Sequence, residues 1–356
     1  MLLGDSDTPA AYFACHMPVQ TPPGDPSGSA APASNLIFIL GAQRSGTTWL
    51  GKIFDSHPGI LYRHEPDEVV AAPPDLTDRA LPGVLNAWIN HRGLRSAAKM
   101  PVFRKDWETG LSHRARLTIA YLITAAAHLP ALGSFAARLP VPDFMCNGQK
   151  PGPRAAIKSI RWCDGVGRLA RLYPDSRTLL IVRHPCGQVE SVMRGASQGR
   201  FAAGGDEGGM PYHEEQAMAC ARRRGVTPSA FRALPDAAKY AWAWVAFNEI
   251  AFEALDGRPN ARIVLYEDLC KQPDTLSREL FAFAGLPWCE QSSAFVTTSS
   301  HHEGEAAYYA VYRNAIAAAE NWRKRMKPED QAAVLAVAAQ SPLARLWPDV
   351  CLAETV

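Results

Sequence analysis

The sequence lacks the features that would hold a fold together without a large apolar core. Its eight cysteines are scattered over 356 residues and form no CxxC pair, which argues against a disulfide framework or a zinc ribbon. Lys and Arg together number 37 against 35 Asp and Glu, and a net charge of +2 argues against a general nucleic-acid binder. His301 and His302 have no second cluster at a metal-ligand spacing, so no metal site is expected.

The chain also lacks a long uninterrupted apolar run. The best membrane candidate, residues 117–137, contains His128, Pro130 and Gly133, and we expect a buried helical hairpin or a substrate lid there instead of a span. The first residues show no basic segment ahead of an apolar one, as a signal peptide would. The expectation is a soluble, cytoplasmic protein, and the sequence does not indicate its oligomeric state.

What the chain does contain is ordinary globular material. Apolar residues make up 47% of it and charged residues 20%. Residues 1–34 are rich in Pro, Gly, Ser and Ala and predict a flexible leader. From residue 35 onward, short fully apolar runs alternate with helical patterns. This alternation predicts one α/β domain over 35–356, with a parallel sheet flanked by helices and helical insertions at 71–150 and 199–228.

The sharpest local feature is LIFILGAQRSGTTWL, residues 36–50. A strand pattern is followed by a loop bounded by Gly41 and Gly46 and by a helix that we expect Thr47 to cap, which is the outline of a P-loop. Backbone N–H groups of such a loop and of the helix start converge on an anion. Nucleotide triphosphatases need Lys where this chain has Thr47, and the cation of the loop is Arg44 instead. The loop therefore predicts a phosphate-like ligand without ordinary ATPase chemistry.

A second segment, TLLIVRHPCGQVESVMRGA at 178–196, repeats this logic. Arg183 falls at the carboxyl end of an apolar strand, where open α/β sheets bind ligands. Pro185 is expected to begin a helix, and Ser191 follows Arg183 by about two helical turns. Its hydroxyl is then placed to join Arg183 at one phosphate. The plainer interpretation is a surface arginine and a serine inside a helix.

Together these segments resemble the sulfotransferases that use 3′-phosphoadenosine 5′-phosphosulfate (PAPS). QRSGTTWL resembles the 5′-phosphosulfate loop of that family, and RHPCGQVES resembles its 3′-phosphate motif. LYEDLCKQP at 265–273 resembles a further element, and NWRKRMKPED at 321–330 the usual tail. The four matches stand in the family's order, and the Arg-type loop is closer to the Golgi-type and bacterial branches. The resemblance implies a P-loop-type fold, PAPS as donor and no metal.

The resemblance also implies which residues hold the donor. Arg183 and Ser191 would bind the 3′-phosphate, and Trp49 would stack on the adenine unless it only packs in the core. Arg313 is a weaker assignment to the 3′-phosphate, because the RKG element of the cytosolic branch is not visible. The loop residues assigned to the 5′-phosphosulfate are Gln43, Arg44, Ser45, Gly46, Thr47 and Thr48.

An acceptor hydroxyl needs a general base. Glu65 lies 21 residues after Arg44, near the spacing of the catalytic glutamate in Arg-type relatives; the alternative is a turn carboxylate paired with Arg63. His64 is the second candidate base. Lys158 corresponds to a lysine that leans toward the reacting sulfate in many relatives, and its alternative is a solvated strand end.

The resemblance therefore predicts an in-line transfer of a sulfuryl group from PAPS to an acceptor hydroxyl. A carbohydrate or glycolipid is favoured by analogy between families, and a phenol or a peptide tyrosine stays open. The insertions at 71–150 and 199–228 are expected to hold the acceptor. The run Arg222–Arg224 is either solvated or attracts an anionic or lipid-linked acceptor through peripheral contact. Two other functions stay open: a P-loop kinase of a small molecule, and a non-catalytic nucleotide-binding protein of the same fold.

Overall fold

The structure is a computed structural model that describes most of the chain from residue 35 onward. The predicted leader, residues 1–34, lies outside the described residues, as do 199–210 of the second insertion and Arg313. The described residues are 35–127, 129, 133–136, 139–143, 153–198, 211–301, 311–312 and 314–351.

Five parallel strands form the central sheet in the order β2-β3-β1-β4-β5. The three inner strands are buried along almost their whole length, because helices cover both faces of the sheet. The predicted parallel sheet flanked by helices is confirmed. The strands are β1 Ile37–Leu40, β2 Ile60–His64, β3 Arg154–Ser159, β4 Arg177–Val182 and β5 Ala261–Leu265.

The helices follow the strands in the alternation that the sequence predicted, with additional helices between β2 and β3 and after β5. Short 3₁₀ helices span Pro66–Glu68 and Pro342–Leu346. The α-helices among the described residues are α1 Thr47–Asp55, α2 Leu81–Asn90, α3 Leu94–Ala97, α4 Gly110–Ala127, α5 Gly133–Ala136, α6 Val166–Leu172, α7 Pro185–Ser197, α8 Pro211–Arg223, α9 Pro228–Ala233, α10 Asp236–Leu255, α11 Tyr266–Lys271, α12 Pro273–Phe283, α13 Glu290–Ser300, α14 Ala315–Glu320, α15 Trp322–Arg325, α16 Pro328–Ala338 and α17 Pro348–Cys351.

The sheet divides the core into two halves. Successive side chains of β1 point to opposite faces, so Ile37 and Ile39 belong to one half while Phe38 and Leu40 belong to the other. The first half is closed by α1 and by α11 to α14. The second is closed mainly by α2, α6 to α10 and α16, with the aromatic helix α10 at its centre. Both faces of β1 are therefore sealed, and its carboxyl end opens into the loop after it.

The strand order creates a switch point between β1 and β4. After β1 the chain continues toward one edge of the sheet, where β2 lies, and after β4 it continues toward the opposite edge, where β5 lies. In open α/β sheets the ligand crevice lies outside the carboxyl ends of the strands at such a point. The loop with Arg44 and the segment with Arg183 both start there.

Helix α1 begins at Thr47 as predicted, but Thr47 does not cap it. The N-cap is Gly46, whose φ of 93° lies in the left-handed region and which makes no side-chain capping bond. A Cβ at Gly46 would come 2.4 Å from the ring of Tyr266. Positive φ and the close approach of Tyr266 together require glycine at this position.

The insertion at 71–150 is helical where it is described, as the lack of strand patterns predicted. Helices α4 and α5 pack on each other, but only one face of α4 is buried, and Tyr121 and Leu122 are exposed. In the described part of 117–137 the predicted burial of a hairpin is therefore wrong, and the alternative of a substrate lid stays a prediction. Among the described residues, no helix has the length and apolarity of a membrane span. The cytoplasmic location stays a prediction.

The Arg222–Arg224 run at the end of α8 is divided between solvent and core. Arg222 and Arg223 are exposed. Arg224 instead donates to Glu249 of α10 at 2.5 Å and to the sulfur of Cys220 at 3.1 Å. The interpretation of a fully solvated charge run is wrong for Arg224, which helps to join α8 to α10.

Candidate functional site

The loop between β1 and α1 is held in an uncommon backbone conformation. Arg44 has a φ of 71°, and Gly46 also has a positive φ; non-glycine residues seldom adopt this region. The turn buries Ser45 completely, and its Oγ has no hydrogen-bond partner among the described residues. This buried hydroxyl without a partner lies next to the start of α1, a helix of nine residues. Such a position suits a bound phosphate group.

The two anion-binding segments predicted from the sequence meet at the switch point. Arg44 Nε donates to Ser191 Oγ of α7 at 3.1 Å. Arg183 donates from Nη1 to the carbonyl oxygen of Arg44 at 3.1 Å and from Nη2 to that of Ala318 at 2.8 Å. The arginine and the serine of the second segment therefore both contact the first loop.

Arg183 retains hydrogen-bonding capacity despite these contacts. Its Nε is buried and has no partner among the described residues. Its guanidinium carbon lies 4.8 Å from the ring centre of Tyr266, the same ring that approaches Gly46. A stacked arginine with a spare donor is suited to an anionic group.

The remaining loop residues support this arrangement in different ways. Gln43 offers its carbonyl oxygen, which accepts a hydrogen bond from Gln188 Nε2 at 2.7 Å. The side chain of Thr47 is buried, whereas Thr48 is partly exposed. Both threonines lie in the first turn of α1, where backbone N–H groups lack helical partners.

Trp49 lies in the core at the same helix start. Its Nε1 donates to Ser299 Oγ at 2.9 Å, and its ring meets Tyr266 edge-on at 6.5 Å between centroids. Only 7% of the residue is exposed. These contacts match the core-packing interpretation, and the stacking of Trp49 on adenine stays a prediction.

Glu65 and Lys158 form a buried ion pair where β2 and β3 end. Lys158 Nζ contacts Glu65 Oε1, and the backbone N–H of Glu65 donates to the carbonyl oxygen of Lys158 at 2.8 Å. The parallel register pairs His64 with Lys158, which brings the next residue, Glu65, against this lysine. Glu65 itself has a φ of 48°. Neither side chain is solvated, so the strand-end alternative for Lys158 is wrong.

The alternative partner for Glu65, Arg63, points elsewhere. Arg63 Nη2 lies 2.5 Å from Asp143 Oδ2, and its Nε donates to the carbonyl oxygen of Ile89 at 2.7 Å. Strand residues 63 and 65 would share a face in a continuing strand, but β2 ends at His64 and Glu65 turns left-handed. The carboxylate thereby belongs to the site and not to the Arg63 network.

A second cation holds the other oxygen of Glu65. Arg95 Nη2 of α3 lies 2.5 Å from Glu65 Oε2 and also contacts Glu68. Burial alone raises the pKa of Glu65, but the charge and hydrogen bond of Lys158 and the charge of Arg95 outweigh it and hold that pKa well below its usual range. Glu65 is therefore ionised at neutral pH.

His64 is the neighbour of this carboxylate but carries no charge at neutral pH. Its Nε2 lies 3.6 Å from Glu65 Oε2, and its Nδ1 lies 3.0 Å from the hydroxyl of Tyr62. Burial, and then the charge of Lys158, hold the pKa of His64 well below its usual range. A neutral imidazole beside an ionised carboxylate leaves Glu65 as the charged base candidate of the two.

Four charged residues close to Glu65 were not predicted from the sequence: Asp67, Glu68, Arg95 and Lys99. Glu68 pairs with Arg95 and, at 3.4 Å, with Arg161. Arg95 and Lys99 belong to the insertion at 71–150, where no motif marked them. The three carboxylates in EPDE, residues 65–68, were the available signal for Asp67 and Glu68.

Asp67 is the least solvated of the added carboxylates. Its Oδ2 accepts a hydrogen bond from Ser159 Oγ at 2.6 Å, while its Oδ1 has no partner among the described residues. Burial raises the pKa of Asp67 to about 6. Ser159 in turn accepts from the backbone N–H groups of Arg161 and Trp162, so Asp67 fixes the turn after β3.

Arg313 lies outside the described residues, so its assignment stays a prediction. The described residues contain no group of His, Cys, Asp and Glu side chains that could hold a metal ion.

Known structures and proteins are similar to this chain over most of its length. Mouse sulfotransferase SULT7A1 complexed with PAP is 12% identical with a TM-score of 0.45, covering 90% of this chain and 89% of that one. The sulfotransferase domain from the Synechococcus PCC 7002 olefin synthase is 17% identical with a TM-score of 0.40, covering 86% and 93%. Carbohydrate sulfotransferase 5 of Mus musculus is 23% identical over 320 residues, which is 81% of this chain and 74% of that protein.

The family itself is shown by a match over a continuous stretch. A protein-family model with the description "Sulfotransferase family" matches residues 36–290, which is well over half of the chain. The match runs from the start of β1 to the start of α13. That stretch contains the loop after β1, the Glu65–Lys158 pair and the Arg183–Ser191 segment. The family predicted from the motifs is confirmed: the chain belongs to the sulfotransferase family and is an enzyme of that class.

Proposed function

We propose that this protein transfers a sulfuryl group from PAPS to a hydroxyl group of its acceptor. The observation that carries the proposal is the convergence of three parts at one edge of the sheet. These are the loop with Arg44, the Arg183–Ser191 segment hydrogen-bonded to it, and the buried Glu65–Lys158 pair. Together these parts supply what sulfuryl transfer needs. The loop and the Arg183–Ser191 segment bind the donor and stabilise its charge, and Glu65 is the base.

The donor half fits a nucleotide that carries phosphate on both its 5′ and 3′ sides. Ser45 Oγ and the N–H groups at the start of α1 are available for the 5′ side, where the loop turns. The spare Nε of Arg183 is available for the 3′-phosphate. Ser191 lies close to it, because both Ser191 and Arg183 form hydrogen bonds with Arg44. PAPS, when bound, supplies the sulfuryl group and a good leaving group; these residues bind and orient it.

The transfer itself is a displacement at sulfur. The acceptor oxygen forms a bond to sulfur while the bond between sulfur and the 5′-phosphate oxygen breaks, and that oxygen keeps the electron pair. The proton of the hydroxyl passes to Glu65, which is ionised and therefore able to accept it. Arg44 and the loop N–H groups stabilise the charge that grows on the phosphate. When Glu65 is protonated, its ion pair with Lys158 weakens. Lys158 can then contact the negative charge that grows on the phosphate.

Access to the base requires one ion pair to open. Lys158 occupies Oε1 of Glu65 and Arg95 occupies Oε2. The side chain of Arg95 is 56% exposed, whereas that of Lys158 is 2% exposed. Arg95 is therefore the partner that an arriving acceptor displaces. His64 stays the second candidate base: it is neutral and so able to accept a proton, although burial and the charge of Lys158 disfavour the cation that it would become.

A carbohydrate hydroxyl, on a free glycan or a glycolipid, is the acceptor that we propose. It is supported by the similarity to the mouse protein named carbohydrate sulfotransferase 5. Helix α3 of the insertion at 71–150 reaches the base through Arg95, which supports the prediction that this insertion contacts the acceptor. Phenols and peptide tyrosines are the competing acceptors that a screen must include.

Calorimetric titration with adenosine 3′,5′-bisphosphate, AMP and ATP-magnesium tests the donor. We expect the bisphosphate to bind far more tightly than AMP, because only it reaches Arg183. A preference for ATP-magnesium would instead indicate a kinase, despite Thr47 in place of the P-loop lysine. Radiolabelled PAPS with glycan, glycolipid, phenol and tyrosine-peptide acceptors then tests transfer. Tight bisphosphate binding with no transfer to any acceptor would favour the non-catalytic alternative.

A further inference from the structure

Helix α4 of the insertion at 71–150 buries a charge and exposes apolar side chains. On its inner face Arg116 is buried, and its Nε lies 2.5 Å from Oε1 of the buried Glu108. On its outer face Leu111 is 80% exposed and Leu122 is 64% exposed. A helix that only covers a core has the reverse arrangement, with its apolar stripe inward and its charges in solvent. Packing within the described part of the chain therefore does not account for the outer face of α4.

Exposed apolar side chains are concentrated in this part of the molecule. Among the described residues, seven large apolar side chains are exposed, and five of them lie within 111–135. The two leucines of α4 are three helical turns apart and share one side of the helix, and α5 packs on α4 and exposes a phenylalanine. A concentration of this kind marks an interaction surface. We call these five residues the apolar patch: Leu111, Tyr121, Leu122, Leu129 and Phe135.

The exposed charges around the apolar patch are positive. Residues 109–142 contain no Asp or Glu. The carboxylates that border this stretch, Glu108 and Asp143, are both buried in ion pairs with arginines. Arg114 is exposed on α4, and Arg92, whose side chain is half exposed, lies against the segment that follows α5. An anionic surface placed on the patch would therefore meet cations and no carboxylate of this stretch.

The apolar patch is joined to the base half of the site through a small core. Ala98, which follows α3, packs with Ala120 and Ile123 on the inner face of α4. Helix α3 carries Arg95, the cation at the second oxygen of Glu65. The patch and this arginine thus belong to one packed unit, so whatever binds the patch is fixed in position relative to the base.

We infer that the apolar patch binds the surface of an anionic lipid bilayer, with its apolar side chains among the acyl chains and Arg114 and Arg92 at the headgroups. Exposed apolar side chains beside cations are the combination that gives peripheral membrane binding. A second copy of this chain is the competing occupant, but it would bring the same cations of two protomers together without a carboxylate of 109–142 to neutralise them. The inference goes beyond the proposed function, and a bilayer at this place would favour an acceptor held in lipid.

The test is sedimentation of the full-length protein with vesicles of phosphatidylcholine alone or of phosphatidylcholine mixed with phosphatidylserine. We expect wild type to bind the mixed vesicles and to bind phosphatidylcholine much more weakly. The double variant Leu111→Ser/Leu122→Ser should lower the partition coefficient on mixed vesicles by roughly tenfold or more, because two leucines no longer leave water. The matched control is Val69→Ser/Ile316→Ser, which removes the two exposed large apolar side chains that lie outside the patch among the described residues. The control should bind as wild type does.

The contribution of charge is tested by Arg114→Gln. Loss of one cation near an anionic membrane surface should lower the partition coefficient on mixed vesicles by roughly fivefold and leave the weak binding to phosphatidylcholine unchanged. Arg325→Gln, at an exposed arginine of α15, is the control and should bind as wild type does. Should the leucine double variant fail to fold, Arg114→Gln decides in the same assay.

Three results would overturn the inference. Wild type could stay in the supernatant with mixed vesicles, or the patch variants could bind no more weakly than their controls. In the third case, light scattering without vesicles finds a wild-type dimer that Leu111→Ser/Leu122→Ser converts to a monomer, which identifies a second copy as the occupant. The assay contains no nucleotide, so its result is independent of the proposed function: a protein that binds vesicles but not the bisphosphate would support the inference and refute the use of PAPS.

Discussion

The donor half and the base half of this site are built from different interactions. Around Arg44 and Arg183, side chains are held by neutral acceptors: a serine hydroxyl and two backbone carbonyls. Ser45 Oγ and Arg183 Nε are left without partners among the described residues. Around Glu65, by contrast, ion pairs occupy both carboxylate oxygens.

This difference determines how a ligand enters each half. In the donor half, binding satisfies groups that are unpaired, so no existing contact has to break. In the base half, the acceptor hydroxyl must replace one cation at Glu65, and the displaced Arg95 keeps its ion pair with Glu68. In the proposed mechanism, the donor half is therefore ready for its ligand, whereas Glu65 becomes accessible only when the acceptor displaces Arg95.

The comparison is tested most strongly by Glu65→Gln, which keeps the shape of the side chain and removes the base. We expect transfer to fall by about 10²–10⁴-fold, the usual contribution of a general base. Binding of the bisphosphate should be nearly unchanged, because the donor half is built separately. The measurements are labelled-donor turnover and calorimetry on the same protein sample.

Glu68→Gln is the matched control, since Glu68 shares Arg95 with Glu65 and has Arg161, where Glu65 has Lys158, as its second ion-pair partner. It should retain most of its activity. Full activity in Glu65→Gln would show that the base is another group, with His64 the first to examine.

The next largest effect is expected for Arg183→Met. Removal of a charged donor should weaken bisphosphate binding by roughly 10- to 100-fold and leave AMP binding almost unchanged. Arg177→Met is the control, because Arg177 starts the same strand at the opposite edge and bonds mainly to carbonyl oxygens there. Equal losses for both nucleotides would place the 3′-phosphate elsewhere.

Ser45→Ala should have two smaller and opposite effects, a gain in the stability of the ligand-free protein and a loss of nucleotide affinity. The substitution removes a buried hydroxyl that has no partner among the described residues, so the ligand-free protein should become more stable by about 1 kcal/mol. Bisphosphate affinity should fall severalfold, since the hydroxyl is then missing from the phosphate site. Thermal unfolding with and without nucleotide measures both quantities.

Ser56→Ala gives the contrast, because Ser56 Oγ donates to Ile53 and contacts Ser292 Oγ. Its loss should destabilise the protein and leave nucleotide affinity alone. If Ser45→Ala behaves like Ser56→Ala, the loop hydroxyl is structural.

The smallest effect is a change in pH dependence for Arg95→Ala. The Arg95 charge lowers the pKa of Glu65, so removing it raises that pKa and protonates the base at a higher pH. The acid limb of kcat/KM, which reports the free enzyme, should therefore lie at a higher pH in the variant than in wild type. Arg104→Ala, an exposed arginine in the same insertion, should leave the profile unchanged. Superimposable profiles for Arg95→Ala and wild type would contradict the electrostatic account of the base.

The parts of the fold that could be predicted from the sequence are those with local signals. β1 and β4 are continuous apolar runs, and the loop between Gly41 and Gly46 is recognisable by its spacing. For β2 the apolar pattern indicates a strand only as far as residue 62, whereas the strand runs to His64, because Arg63 and His64 interrupt that pattern. Arg63 is nevertheless a buried strand residue, since Asp143 neutralises it from the insertion.

The parts of the site that could not be predicted depend on contacts between distant segments. Nothing local to Arg95 or Lys99 indicates that α3 packs beside β2, and the carbonyl of Ala318 that holds Arg183 has no side-chain signature at all. The family resemblance points to Glu65 and to Lys158 separately. Their mutual contact follows from strand register, which is a property of the sheet.

The bond from Arg183 to the carbonyl oxygen of Ala318 has a practical consequence for shortened versions of this enzyme. The family match ends at residue 290, yet Ala318, and Trp322 whose ring stacks on His184 at 4.5 Å, come later. A fragment cut at residue 290 would retain both anion-binding segments and lose the support behind the second. Anyone who excises the smallest active portion for crystallisation or fusion should therefore retain the chain at least through α15.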